Sequence, residues 1–141
     1  MQPELSWQSL GRHRYRIDGD TLWAVALDEI NAEEGLLMCE KLLQVYREHG
    51  YVFEILDVRQ GGAMGAEARR VNAAWHRDHP IEVEVIVLGA NVILRTVVTL
   101  LSNAVRLLGR SQLRVQFVAS EEEALARVVS LRDKRRSGAS S

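Results

Sequence analysis

The sequence predicts an α/β domain: a mainly parallel five-stranded sheet that opens with an antiparallel hairpin, with four helices packed on it. The expected order is β-β-α-β-α-β-α-β-α. Three observations carry this. Two strand-like runs flank Asp18-Gly19-Asp20, a turn signal. Short, nearly all-apolar runs (Tyr51 to Leu56, Val83 to Leu88) then alternate with longer segments of helical period. Finally, Asn31 with Glu34, and Ser120 with Glu123, have the spacing of capping boxes that open helices. A hairpin followed by such alternating units implies parallel strands linked by helical crossovers.

The elements follow in order. His13–Ile17 and Thr21–Leu27 form the hairpin, with Trp23, Val25 and Leu27 alternating with the smaller Leu22, Ala24 and Ala26. The helix opened by Asn31 is expected to bury Leu36, Cys39, Leu42, Leu43 and Tyr46, and Gly50 stops it at a left-handed cap. Tyr51–Leu56 reads as a strand covered on both faces. Gly65–Asp78 places Ala68, Val71, Ala74 and Trp75 on one helical face, and Pro80 closes it. Val83–Leu88 is a second buried strand. Leu113, Val115 and Phe117 alternate with Arg114 and Gln116, as in a strand nearer the sheet edge. The last helix buries Ala124, Leu125, Val128 and Leu131. The expected boundaries are an N-terminal extension over 1–12, one domain over 13–132, and a flexible tail over 133–141, where apolar partners run out.

Composition excludes several classes. With 141 residues, 47% hydrophobic and 26% charged, the chain suits one globular core without disulfides or metals. Its 18 basic and 19 acidic residues leave a net charge of −1, which argues against a nucleic-acid partner. The single cysteine, Cys39, rules out an internal disulfide framework and fits a reducing cytoplasm. The start, MQPELSWQSL, lacks the basic head and apolar run of a signal peptide.

Asn91–Leu108 is more apolar than a surface helix requires. Its apolar residues cover an arc of roughly 180°, where seating on a sheet takes somewhat over ~100°. Arg95, Thr99, Ser102 and Arg106 form one narrow polar stripe. Arg95 and Arg106 also argue against a membrane span. The surplus is expected to meet a neighbouring helix, a second subunit or an apolar ligand. Ile93, Val97, Leu100, Ala104 and Leu108 suffice to seat the helix, which leaves the Leu94–Val98–Leu101–Val105 edge as the expected binding surface.

No set of residues names a catalytic chemistry. The loop from Asp57 to Gly65, with Gly61, Gly62 and Met64, joins a buried strand to a helix start, where ligands gather in open parallel sheets. It is neither a P-loop nor a dinucleotide fingerprint, and plain turn geometry accounts for its glycines. Asp28 and Asp57 each follow a strand, as acid–base candidates or as loop residues bonding locally. His76 and His79 are spaced to share a metal, but Pro80 frays the helix there, and no third ligand is evident. Cys39 has no basic partner to activate it. No catalytic residue, metal ligand or cofactor is expected.

The order of elements, together with Tyr-Arg-Ile-Asp-Gly-Asp at 15–20, Glu-Ile-Leu-Asp-Val-Arg at 54–59, Glu67-Ala68-Arg69 with Trp75, and Glu-Glu-Glu-Ala-Leu-Ala at 121–126, resembles the bacterial SpoIIAA-like branch of the STAS superfamily. That superfamily is also grouped with SEC14-like lipid-binding domains. The resemblance implies a non-enzymatic regulatory module. In anti-sigma-factor antagonists the strand-end Asp is followed by a phosphorylatable Ser or Thr. Asp57 matches the Asp, but Val58 to Glu67 contains no hydroxyl residue, so the phospho-switch is not expected.

Two readings result. In the first, a protein partner or a second copy binds the Gly61–Gly65 rim and the Asn91 helix. In the second, an apolar, lipid-like molecule lies between the Gly65–Asp78 and Asn91–Leu108 helices, lined by Val71, Trp75, Leu94, Val98 and Leu101.

Overall fold

A computed structural model describes residues 6–107 and 112–139. In order they form β1 (Gln8–Leu10), β2 (His13–Asp18), β3 (Thr21–Val25), α1 (Ala32–His49), β4 (Val52–Asp57), α2 (Ala66–Asp78), β5 (Glu82–Leu88), α3 (Val92–Leu107), β6 (Gln112–Val118) and α4 (Glu121–Ala139). Among the described residues the sheet has six strands, in the order β1-β2-β3-β4-β5-β6. The first three are antiparallel and the last four parallel. As expected, the sheet opens on a hairpin and turns parallel, and the Gln112–Val118 strand lies at an edge.

The strand count was five in expectation, and the extra one is β1, from the stretch read as an extension. Leu10 pairs with His13 across a two-residue loop whose Gly11 has φ 60°, the same device as Gly19 (φ 58°) between Asp18 and Thr21. Gly11 also lies against Glu34, whose carboxylate gathers the start of the domain. It accepts from the Arg12 backbone and guanidinium, from the Asn31 N–H in the capping box, and from His13 Nε2 at 3.0 Å. Leu27 N–H donates to His13 Nδ1, so the ring proton sits on Nε2. The Arg12 side chain foremost, against the effect of burial, holds Glu34 well below the usual carboxylate range.

Strand alternation divides the core in two. Leu22, Val52, Val83, Val85, Val87 and Leu113 face one side, packed by residues of α1, α2 and α3. Trp23, Phe53, Ile55, Ile86 and Leu88 face the other, where α4 brings Ala124 and Val128. In α1 the buried face is Met38, Cys39, Leu42 and Val45, while Leu36, expected inside, is exposed; in α4 the same holds for Leu125.

Helix α4 corrects the expectation of a frayed tail over residues 133–139. It stays helical to Ala139. Arg132 donates to both oxygens of Asp20 at 3.0 and 2.7 Å, and Arg135 pairs with Glu82 at 2.9 Å while lying over the Tyr51 ring. Charged side chains reaching back to the sheet replace the apolar partners that the sequence lacks there. Burial of Asp20 is outweighed by its bonds from Arg132, Tyr51 and Thr21, which hold its carboxyl down to about 2. Residues 1–5 of the expected extension and 140–141 of the expected tail lie outside the described residues. Among those described, no helix is long and apolar enough to cross a membrane.

Candidate functional site

Three features converge at the carboxyl ends of the parallel strands and on α3. The first is the rim. Asp57, at the end of β4, is held by Arg59, which donates to it from its backbone N–H, Nε and Nη2 at 3.1, 3.0 and 2.7 Å; Nη2 also reaches Glu121. Burial would raise the Asp57 carboxyl, but the Arg59 bonds prevail and lower it. Asp57 is therefore an anchoring anion rather than a free acid, and Asp28 pairs with Arg12 instead. Gly61 lies so close to the Asp28 backbone that a Cβ would stand 2.5 Å from its N and O. Gly62 (φ 102°) donates to Asp28 O, and Ile30 donates to Ala63 O. These glycines serve the close approach of two backbone segments. Met64 packs partly buried on the core beneath the loop, and Gly65 is the N-cap of α2.

The second feature is α3, opened by Asn91, whose Oδ1 accepts from Leu94 N–H at 2.8 Å. Its excess apolar arc is real, but its orientation is the reverse of the expected one. Val105 is fully buried, and Leu94, Val98 and Leu101 turn inward toward the sheet. Most of the row expected to seat the helix faces outward: Ile93 is 76% exposed, Leu100 64% and Ala104 exposed, while Val97 is half-buried; Val92 at 79% and Leu107 at 87% are exposed beside them. Leu108 of that row lies outside the described residues. Both rows have helical spacing, so periodicity alone cannot choose between them. The environment does: α3 packs on the edge strand β6, where Arg95 lies over the Phe117 ring and Ser102 turns inward.

The third feature is a cavity of about 100 Å³ between the sheet and helices α1, α2 and α3. Leu94, Val98 and Leu101 line it, joined by Gly62 and Met64 from the rim. Val71 and Trp75 do not. Helix α2 is turned by one residue, presenting Asn72 and His76 to the cavity, while Trp75 stacks on His79 at 4.3 Å. His76 is 5% exposed, and its Nδ1 has no hydrogen-bond partner among the described residues. From β4 comes Glu54, 7% exposed, with no hydrogen-bond or ion-pair partner among the described residues. Burial pushes its carboxyl up to about 7 and pulls the His76 imidazole down to about 4. The Cys39 thiol accepts from Asn72 Nδ2 at 3.6 Å and is pushed up by burial, which works against a thiolate. Sequence reasoning missed Glu54 as a site residue, although a lone carboxylate inside an apolar strand was visible.

No protein-family model matches the chain, and no curated protein matches it significantly. A search of solved structures does find a counterpart: the anti-sigma factor antagonist SpoIIAA in its unphosphorylated form. The two superpose with a TM-score of 0.52 over 88% of this chain and 96% of that one, at 14% identity. The fold is that of SpoIIAA. The STAS-type arrangement expected from the residues at 15–20 and 54–59 is thereby established as architecture. In this SpoIIAA-like chain the loop after β4 has an arginine clasping the strand-end aspartate and no hydroxyl residue before Glu67.

Proposed function

We propose that this protein is a non-enzymatic, SpoIIAA-like regulatory module that works in a bacterial cytoplasm by docking a protein partner, or a second copy of itself, without a serine phospho-switch. The observation that carries the reading is the outer row of α3. Val92, Ile93, Leu100 and Leu107 are each at least 64% exposed on one helix, beside the rim that closes on Asp57. Large apolar side chains clustered in this way are what interaction surfaces present. The likeness to an anti-sigma factor antagonist supports a partner that is a protein. The near-neutral charge disfavours nucleic acid.

A photo-crosslinking residue at position 100 tests the reading, with sedimentation over a range of concentrations. A crosslink to itself or to one cellular protein is expected, lost on Ile93→Asp with the fold intact. A concentration-independent monomer with no specific crosslink from position 100 overturns it. The reading of a long lipid-like ligand is less favoured, because about 100 Å³ is smaller than the ~150 Å³ that holds a single benzene ring.

A further inference from the structure

The cavity beneath α3 combines an apolar wall with a polar group that has nothing to bond. Glu54, 7% exposed, stands on the middle of β4, facing the three helices, and across from it in the wall His76 Nδ1 is buried without a partner among the described residues; buried polar groups in folded proteins nearly always have one. Around it are Val85, Leu94, Val98 and Leu101, and no lysine or arginine among the described residues lines the space. We propose that this cavity is a binding site for a small, mainly apolar molecule with one neutral hydroxyl, whose O–H donates to the Glu54 carboxyl while its hydrocarbon part lies against Leu94, Val98 and Leu101.

Each term of that description follows from the walls. A carboxylate ligand would meet Glu54 without a cation to compensate either charge. An ammonium would bring a full charge into a chamber whose wall is mostly apolar, and that desolvation is the obstacle, since Glu54, Ser102 Oγ, Asn72 Oδ1 and the neutral His76 ring supply acceptors enough. A hydroxyl needs a single acceptor, and Glu54 supplies it whether or not the carboxyl is protonated. The raised Glu54 carboxyl, poised at about 7, is consistent with a dry site. Scaling from the ~150 Å³ cavity that takes benzene, the volume suits a ligand of roughly four to five heavy atoms. The site uses the inner row of α3, so it stands whether or not the outer row docks a partner.

The test uses the full chain, ¹⁵N-labelled, titrated separately with 1-butanol, its isomer diethyl ether, butylamine and butyrate. The expected result is saturable shifts of the amides around Glu54 and His76 with 1-butanol. At least about tenfold weaker binding is expected for the other three, the ether lacking only the donated hydrogen bond. Glu54→Gln keeps an acceptor and should retain butanol binding, while Glu54→Leu should abolish it. Equal affinity for ether and butanol overturns the proposal on the unmodified protein alone. Preferential butylamine binding overturns the choice of a neutral hydroxyl. No saturable shift with any of the four leaves a water-filled site only, and overturns it as well.

Discussion

Glu54 and His76 together make a prediction about stability against pH that neither makes alone. The folded state holds the Glu54 carboxyl at about 7 against an ordinary 4.5. Its burial therefore costs nothing below 4.5, and the cost grows until the pH passes 7, where it reaches about 3 kcal/mol. His76 runs the other way, held at about 4 against an ordinary 6.5. It costs nothing above 6.5, and its cost rises to about 3 kcal/mol as the pH falls through 4. No ion pair joins the two groups, so their effects add. Between 4.5 and 6.5 one cost grows as the other shrinks, and the parent protein is nearly flat from this source. Each substitution removes one arm. Glu54→Leu should be more stable than the parent by about 3 kcal/mol at pH 8, a rise in Tm of roughly 10 °C, and should lose about 2 kcal/mol between pH 8 and pH 5. His76→Phe should gain about 2 kcal/mol over the same descent. Asp20, Glu34 and Asp57 have lowered carboxyls that titrate on the acid side, and they are common to all three proteins. Urea denaturation at pH 5, 6, 7 and 8 measures the differences. Parallel pH profiles for the parent and Glu54→Leu would show that the carboxyl is hydrated or paired in solution, and would refute the reasoning.

Other outcomes follow from single contacts. Val98→Asp puts a charge against the apolar wall beneath α3 and should cost about 3 kcal/mol or more, whereas Leu100→Asp, on the outer row, should change stability by less than about 1 kcal/mol; thermal melts compare them. Arg132→Ala leaves the buried Asp20 carboxylate with only hydroxyl donors and should cost about 2–4 kcal/mol, read as a shift in urea midpoint, with amide exchange accelerated along the end of α4. Gly61→Ala drives a methyl into the Asp28 backbone and should lower stability by about 2 kcal/mol, while Gly65→Ala, whose nearest neighbour is the Glu29 carboxylate at 3.5 Å, should stay within about 0.5 kcal/mol.

Much of the fold was legible because its signals are local. The capping box at Asn31 and the Ser120 side-chain cap on Glu123 N–H depend on residues three positions apart, and the hairpin at Asp18-Gly19-Asp20 on a turn of two. What escaped depends on partners that a hydrophobic period does not register. Strand β1 is three residues long, with one buried side chain, and exists because β2 offers it an edge. The last turns of α4 look unsupported until Asp20 and Glu82 are brought beneath Arg132 and Arg135. An ion pair such as Arg132–Asp20, across more than a hundred residues, leaves no trace in a hydrophobic period.

The site shows the same division more sharply. Periodicity measured the width of the apolar arc on α3 correctly, because width belongs to one helix; which half faces the sheet belongs to the pair. Leu94–Val98–Leu101–Val105 and Ile93–Leu100–Leu107 both have helical spacing, and their hydrophobicities are too alike to rank. The polar residues that flank the arc carry the decision. With the first row inward, Arg95 escapes round the edge strand over Phe117, and Ser102 satisfies itself on Thr99 O. With the second row inward, a turn of roughly 130°, the apolar wall beside Glu54 would be lost. The orientation that isolates Glu54 in an apolar chamber is also the one that exposes Ile93, Leu100 and Leu107. One rotational choice by one helix thus creates both the inner cavity and the outer docking row. A substitution that rotates α3 should disturb both, whereas Glu54→Leu should disturb the first alone.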